Sequence, residues 1–356
     1  MFERNIYDLY GLYCESRFQV DQHLGFFAEG HRYLMIPKEE GVGVTDEEMV
    51  GMAEHLRTFG DLSVPELIRT NRGHYHSQID GQEVYLFKLS ADRAVRAVPR
   101  DEREVGEHLA HFHQMGSQII LSAGQQSYFG QWHKLWEKRL EQLEGWYQQV
   151  FQDQPSSYLD ESFLYTFPYF MGLTENAIQY AVDAVYDEQL QGHDFGSICH
   201  RRFRNDTWLR DEGYSMIKPP TEFIYDHPSR DLAEWIRSIR WQTRSEEDWR
   251  TIRSFLQAYH THHPLSAYGW KLVFARLLFP LHYFEAVEGY YRSQINEERE
   301  QYAEQFYHVI HEEYKNEQFL TELAHELEQS SAVMLRLPKI DWLVIQDSPH
   351  PFFPSG

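Results

Sequence analysis

Over roughly its first ninety positions the chain alternates apolar and polar residues in short runs. Tyr13 to Val20, Leu24 to Glu29 and Arg32 to Ile36 read as strands, and Pro37 with Gly41 and Gly43 ends the third. Thr45-Asp46-Glu47-Glu48 is a capping-box pattern, followed by Met49, Met52, Ala53, Leu56 and Phe59 at helical spacing. This predicts a helix over about 45–59. Leu67 to Ser77 and Gln82 to Leu89 then read as strands of a hairpin that turns at Asp80-Gly81.

Beyond about residue 100 the period becomes helical. Asp101 to Met115 carries Val105, Leu109, Phe112 and Met115 on one stripe, and Gln131 to Phe151 and Glu161 to Glu188 continue the pattern. Pro168 and Gly172 predict a break in the last of these. A helix capped by Ser229 runs to Arg240, and Ser245-Glu246-Glu247-Asp248 opens another that reaches about Tyr259. Helical spacing resumes from Ser266 to Tyr291, interrupted at Pro280, and again from Asn296 to Gln329. Trp249, Phe255, Tyr259, Tyr283, Phe284, Tyr290 and Tyr291 sit at core positions of these helices. Pro349 to Gly356 reads as an irregular tail. The order of elements is that of an α+β chain: a small mixed α/β lobe, a hinge near Leu89 to Pro99, and a larger, mostly helical lobe.

Composition narrows the function classes. With 356 residues, 42% of them apolar and 15% aromatic, the chain can build two cores and is not disordered. A net charge of −22 argues against nucleic acid and anionic membranes as partners. Cys14 and Cys199 make neither a disulfide framework nor a CxxC metal site. Met1-Phe2-Glu3-Arg4-Asn5 opens no apolar signal core, and no apolar run is long enough for membrane insertion, so synthesis in the cytoplasm is expected. Of the 20 histidines, His108, His111 and His113 share one helix, and His260/His263 and His308/His311 recur at i,i+3. None forms His-Glu-x-x-His, so no metal site is expected.

The candidate chemistry lies in two stretches, Ile198-Cys199-His200-Arg201-Arg202-Phe203-Arg204-Asn205-Asp206-Thr207 and Phe223-Ile224-Tyr225-Asp226-His227-Pro228-Ser229-Arg230-Asp231-Leu232. Their frame resembles the phosphotransfer loop of aminoglycoside and choline kinases: a strand into His-x-Asp, an Asn five residues later, then a strand ending in a metal-binding Asp. Glu107-His108-Leu109-Ala110-His111-Phe112-His113 and Arg276-Leu277-Leu278-Phe279-Pro280-Leu281-His282-Tyr283 fit the same order. The chain is therefore similar to the aminoglycoside-phosphotransferase/protein-kinase-like superfamily. Within it, the chain resembles the CotS family and its YutH-type spore coat proteins of endospore-forming bacteria. The resemblance implies a protein-kinase-like two-lobe fold, with residues 1–92 as N-lobe, 93–345 as helical C-lobe and 346–356 as tail.

Departures from that frame decide the expected function. The positions of the catalytic Asp and the metal-binding Asn are Arg202 and Thr207. A guanidinium cannot accept a proton at neutral pH. Pro37 stands where the β3 lysine is expected, Lys38 is expected to point to the opposite face, and Leu24-Gly25-Phe26-Phe27 offers one glycine where a phosphate cradle needs several. His200, Arg202, Asn205, Thr207, Asp226 and Asp231 thus form a degenerate kinase-like loop with no catalytic, cofactor-binding or metal residues. His200 reads as a brace of the loop or a remnant of the nucleotide frame. Asp231 reads as a bond to the loop backbone or a helix cap, and Asp226 as the one position able to hold a cation. Arg201, Arg202 and Arg204 make either an anion site or salt bridges to acids such as Asp206 and Glu222. As the resemblance implies, the chain is a non-catalytic kinase-like coat protein or assembly factor, made in the mother cell and destined for the spore coat among other coat proteins. The rivals are a sugar or amino-alcohol phosphotransferase and a nucleotide- or metabolite-sensing pseudokinase.

Overall fold

A computed structural model describes residues 2–39, 43–90, 98–121, 124–188, 190, 194–211, 215–240 and 246–330. Ser245 and the tail lie outside these residues. The described chain packs as two compact units, 1–129 with 195–264 and 130–194 with 265–356.

The first unit opens with α1 (Phe2–Tyr10), a helix absent from the sequence expectation although Phe2, Ile6 and Tyr10 bury one stripe at i, i+4, i+8. A sheet follows: β1 (Ser16–Val20), β2 (His23–Ala28), β3 (His31–Pro37), β4 (Glu66–Ile68), β5 (His76–Ile79) and β6 (Gln82–Lys88). Its order is β1-β2-β3-β6-β4, with β5 also on β6, and every pairing is antiparallel. The run 67–77 divides because Gly73, at φ +82, donates its N–H to Thr70 O and turns the chain. Asp80 and Gly81, both at positive φ, make the two-residue turn read from the sequence. Helix α2 (Asp46–Thr58) carries the full Thr45–Glu48 capping box.

β3 sorts its side chains to two faces. Tyr33 and Met35 join the α1 side, with Phe2, Ile6, Phe26 and Leu86. Leu34 and Ile36 join the α2 side, with Met49, Tyr85 and Phe87. Helix α3 (Glu102–Gly116), capped by Asp101, follows. After residue 194 come β7 (Ser197–His200), β8 (Leu209–Asp211), β9 (Ser215–Ile217), β10 (Phe223–Asp226), α6 (Ser229–Arg240) and α7 (Glu246–His262), the last two joined by a Trp235–Phe255 stack at 3.8 Å. β7 pairs β10 and β8 pairs β9, both antiparallel.

The second unit is helical: α4 (Trp132–Asp153), α5 (Tyr158–Asp187), α8 (Ala267–Leu278), α9 (Leu281–Arg292) and α10 (Asn296–Ser330). Stacks of Trp136 on Phe279 (4.8 Å) and Phe170 on Tyr283 (3.7 Å) knit it together. Pro280 separates α8 from α9 as expected. α5, in contrast, runs unbroken through Pro168 and Gly172. Pro168 is exposed, while Phe163, Phe167, Phe170 and Leu173 anchor the helix along its buried stripe.

Candidate functional site

β7 leads into the loop and β10 returns beside it, with His200 opposite Phe223 and Ser197 opposite Asp226. Behind the loop lies a buried polar knot. The His200 N–H donates to both Asp231 carboxylate oxygens (3.0 and 3.1 Å), and His200 Nδ1 lies 2.7 Å from Oδ2. His113 Nε2 reaches the same oxygen at 3.0 Å, while its Nδ1 meets the Tyr259 hydroxyl at 2.8 Å. Trp208 Nε1 donates to His200 Nε2 at 3.1 Å. An indole N–H is donor only, so the His200 proton sits on Nδ1, facing Asp231. Burial works against the Asp231 charge, but the His200 ring and the hydrogen bonds from His113 and His200 outweigh it and hold the carboxyl at about 2. Burial also lowers the pKa of His113.

In front of the loop the side chains are of another kind. Arg202 and Thr207 line an open cleft of about 1090 Å³. The Thr207 hydroxyl donates to Arg202 O and accepts from Arg204 N, both at 2.8 Å, so the side chain at the Asn position ties the loop to itself. Asn205 turns away and accepts from Trp235 Nε1 at 3.0 Å. Arg201 pairs with Glu222 (2.8 Å) and Glu39 (2.9 Å), and Arg204 lies 3.5 Å from Asp206. Asp226, fully buried, accepts from Arg230 Nη1 at 2.8 Å on one oxygen and from His227 N at 2.7 Å on the other. Arg230 also donates to Arg201 O through Nε and Nη2. Its guanidinium therefore offsets the charge of Asp226 and ties it to the loop backbone.

The lysine expectation requires correction. Lys38 faces the cleft and α2: its Nζ lies 3.1 Å from both oxygens of Asp46 and 3.1 Å from His76 Nδ1. Alternation places residue 38 with Leu34 and Ile36, on the α2 side, and Pro37 on the other. Asp46 also accepts from the Tyr85 hydroxyl (2.7 Å) and meets His76 Nδ1 (3.0 Å). Burial opposes ionisation of Asp46, but these hydrogen bonds and the Lys38 charge prevail and lower its pKa. β1 and β2 join through Asp21 and Gln22 alone, with Val20 paired to His23. Gly25 serves packing, since a Cβ there would stand 2.4 Å from the Phe18 ring.

His113, Cys199 and Asp231 offer buried ligand atoms within 4.8 Å of one another. The two His113 nitrogens and Asp231 are engaged in the knot, and the Cys199 thiol donates to Asp226 O at 3.5 Å. Burial pushes the Cys199 pKa well up, which disfavours a thiolate ligand. The trio reads as a hydrogen-bonded brace. His111 and His311 each bond a carbonyl one turn back in their own helices.

Comparison with known proteins agrees with this frame. Residues 3–323 match the family model described as "Spore coat putative kinase YutH". The chain belongs to the YutH family of spore coat proteins. This family member is 33% identical to the endospore coat-associated protein YutH of Bacillus subtilis (strain 168), over 96% of this chain and 98% of that one. It is 24% identical to spore coat protein S of the same strain, over 67% and 69% of the two chains. Among solved structures it is similar to an aminoglycoside phosphotransferase from Alicyclobacillus acidocaldarius (TM-score 0.62, 13% identity, covering 89% of this chain and 93% of that one). It is also similar to the AMP-bound spectinomycin phosphotransferase APH(9)-Ia (TM-score 0.57, 14% identity, covering 86% and 93%). These likenesses establish a kinase-like phosphotransferase fold. No described helix is long and apolar enough to cross a membrane.

In this YutH-family chain the six loop residues named from sequence have four different surroundings. His200 and Asp231 belong to the knot, Arg202 and Thr207 line the cleft, Asn205 bonds Trp235, and Asp226 is paired with Arg230. Sequence reasoning missed His113 and Tyr259 as parts of the knot, Lys38 and Asp46 as a pair, and Arg230 as the partner of Asp226. The last was legible: an Arg four residues after the strand-ending Asp, at the start of a helix, lies within reach of it.

Proposed function

We propose that this chain is a non-catalytic kinase-like component or assembly factor of the spore coat, made in the mother-cell cytoplasm and acting through its surfaces on other coat proteins. In this reading residues 1–92 and 93–345 are the two lobes of a kinase scaffold without kinase chemistry. The observation that carries it is Arg230 on Asp226. Phosphoryl transfer in this fold needs metal ions held by that acid and a carboxylate base in the loop. A divalent ion about 5 Å from a guanidinium is repelled by on the order of 6 kcal/mol at an effective dielectric constant of about 20. Arg202 at the base position adds a second positive charge and removes the proton acceptor.

One observation favours a rival. Lys38 on Asp46 keeps the form of the lysine–acid pair that positions nucleotide phosphates in kinases. That supports a nucleotide-sensing pseudokinase, or a small-molecule kinase as the family description's wording suggests. Turnover separates them. With magnesium–ATP and a panel of sugars, aminoglycosides and choline, the chain should release ADP no faster than buffer. Substrate-dependent release that disappears in Asp226→Asn would overturn the non-catalytic reading.

A further inference from the structure

Lys38 and Asp46 have a third partner that a lysine–acid pair does not require. His76, on β5, brings its Nδ1 to 3.1 Å from Lys38 Nζ and to 3.0 Å from Asp46 Oδ2. Its side chain is 31% exposed, so protons reach it from solvent. The titratable groups against the ring are Lys38 after β3, Asp46 at the start of α2, and Glu83 and Tyr85 of β6. Glu83 lies 3.9 Å from Nε2, and the Tyr85 ring meets the imidazole edge-on at 5.9 Å.

One imidazole nitrogen cannot satisfy both neighbours. In the ring plane Nδ1 holds either a lone pair or a proton. With a lone pair it accepts from the Lys38 ammonium, and then two electron-rich atoms, Nδ1 and Asp46 Oδ2, face each other at 3.0 Å. With a proton it donates to Oδ2, and Lys38 loses its acceptor on the ring. A doubly protonated ring also carries a charge of the same sign as Lys38, set between the carboxylates of Asp46 and Glu83. Asp46 Oδ1 already accepts from the Tyr85 hydroxyl at 2.7 Å, so Oδ2 is the oxygen for which Lys38 and a protonated His76 compete.

We propose that His76 is a proton-operated switch on Lys38: neutral, it holds the ammonium against Asp46, and protonated, it takes the Asp46 oxygen and turns Lys38 out into the cleft. Lys38 and Asp46 both line the cleft, so the released ammonium has open space to enter. Release lies on the acid side of the range in which imidazoles titrate. In that state the cleft gains a mobile cation and α2 loses its tie to the end of β3, while the Tyr85 hydroxyl keeps its bond to Asp46. The switch goes beyond the non-catalytic reading, because it works whether or not a nucleotide enters the cleft.

The test reads the coupling between Lys38 and Asp46. Denaturant unfolding of the full chain, Lys38→Met, Asp46→Asn and the double variant gives that coupling as a factor in the unfolding equilibrium constant. The factor should be about 5 at pH ~8 and fall to about 1–2 at pH ~5.5, on the two sides of the imidazole range. Asp46 stays ionised at both, since its pKa is lowered from an ordinary 3.8. In a His76→Gln background, whose side chain does not titrate, the factor should be the same at the two pH values. If one of the cycle variants does not fold, NMR of the Lys38 side chain replaces it: the Nζ and Cε signals should shift between the two pH values in the parent and stay fixed in His76→Gln. A coupling independent of pH in the unaltered chain overturns the proposal. A loss of the same size in the His76→Gln background overturns it too, because the effect then belongs to another group. Neither experiment reads ADP release, so failure here is distinguishable from failure of the non-catalytic reading.

Discussion

The two sides of the loop after β7 follow opposite rules. Behind it, every polar group of His200, His113 and Asp231 meets a partner that completes it, and the knot is sealed from water. In front of it, positions that hold acids and amides in an active kinase loop carry Arg202 and Thr207, and the remaining acid, Asp226, is neutralised by Arg230. The bonds that hold His200 come from behind, while Thr207 and Arg230 tie the backbone of the loop from in front. His200 can stay in place whatever side chains the front carries, because its bracing and any proton transfer use different atoms.

The largest effect should come from cutting the knot. Asp231→Ala leaves the His200 N–H and two imidazoles buried without their acceptor, a loss of about 3–5 kcal/mol. Denaturant unfolding measures it, and an unchanged midpoint would mean that the loop is held from elsewhere. Acid sharpens the same point. Asp231 has its folded pKa depressed to about 2, from an ordinary value of 3.8, so its contribution is full above pH ~4 and is lost as pH falls toward ~2. His113, also depressed, resists the proton that the unfolded chain accepts below about 6.5. Both shifts make stability rise with pH on the acid side. Asp231→Asn should flatten the part of that slope below pH ~4, and an unaltered slope there would assign it to other groups.

A middle-sized effect tests the front. Arg230→Gln removes the guanidinium paired with the buried Asp226 carboxylate, which costs about 3 kcal/mol. The same change removes the repulsion that keeps divalent ions away. Millimolar magnesium or manganese should raise the melting temperature of this variant and leave that of the parent unchanged. If the parent responds equally, Arg230 does not stand in for the cation and the contrast between the two sides fails.

How far such contrasts can be read beforehand depends on the range of the interactions that make them. The α2 capping box and the Asp80-Gly81 turn are signals within four residues, and both are present. Helix α5 continues through Pro168 because the buried packing of Phe163, Phe167, Phe170 and Leu173 outweighs the local cost of the proline, and that packing is not legible locally. Lys38 was assigned to the wrong face because the position of the lysine was counted from the family's frame, although the alternation of Leu34 and Ile36 already pointed to it. The loop's substitutions, Arg202 and Thr207, were plain in the sequence. Their surroundings were not: Arg32–Asp211 and Lys218–Asp61 join residues 179 and 157 positions apart, and no local pattern announces such ties.

The smallest effect concerns Thr207, where the two sides meet. Its hydroxyl bonds Arg202 O and Arg204 N, doing for the loop's own backbone what an Asn at this position does for a metal in a kinase. Thr207→Val keeps the shape of the side chain and removes both bonds. Thr207 is 8% exposed, so water can replace part of what is lost, and the expected cost is about 1 kcal/mol. Thr207→Asn restores the amide that the kinase frame calls for, yet it should also cost stability, because the longer side chain cannot close the same short bonds. Hydrogen exchange at Arg204 gives the local reading: its amide should exchange faster in both variants while His200, held by Asp231, keeps its protection. Equal acceleration at His200 would show that the loop is one cooperative unit, and that its front cannot be changed independently of its back.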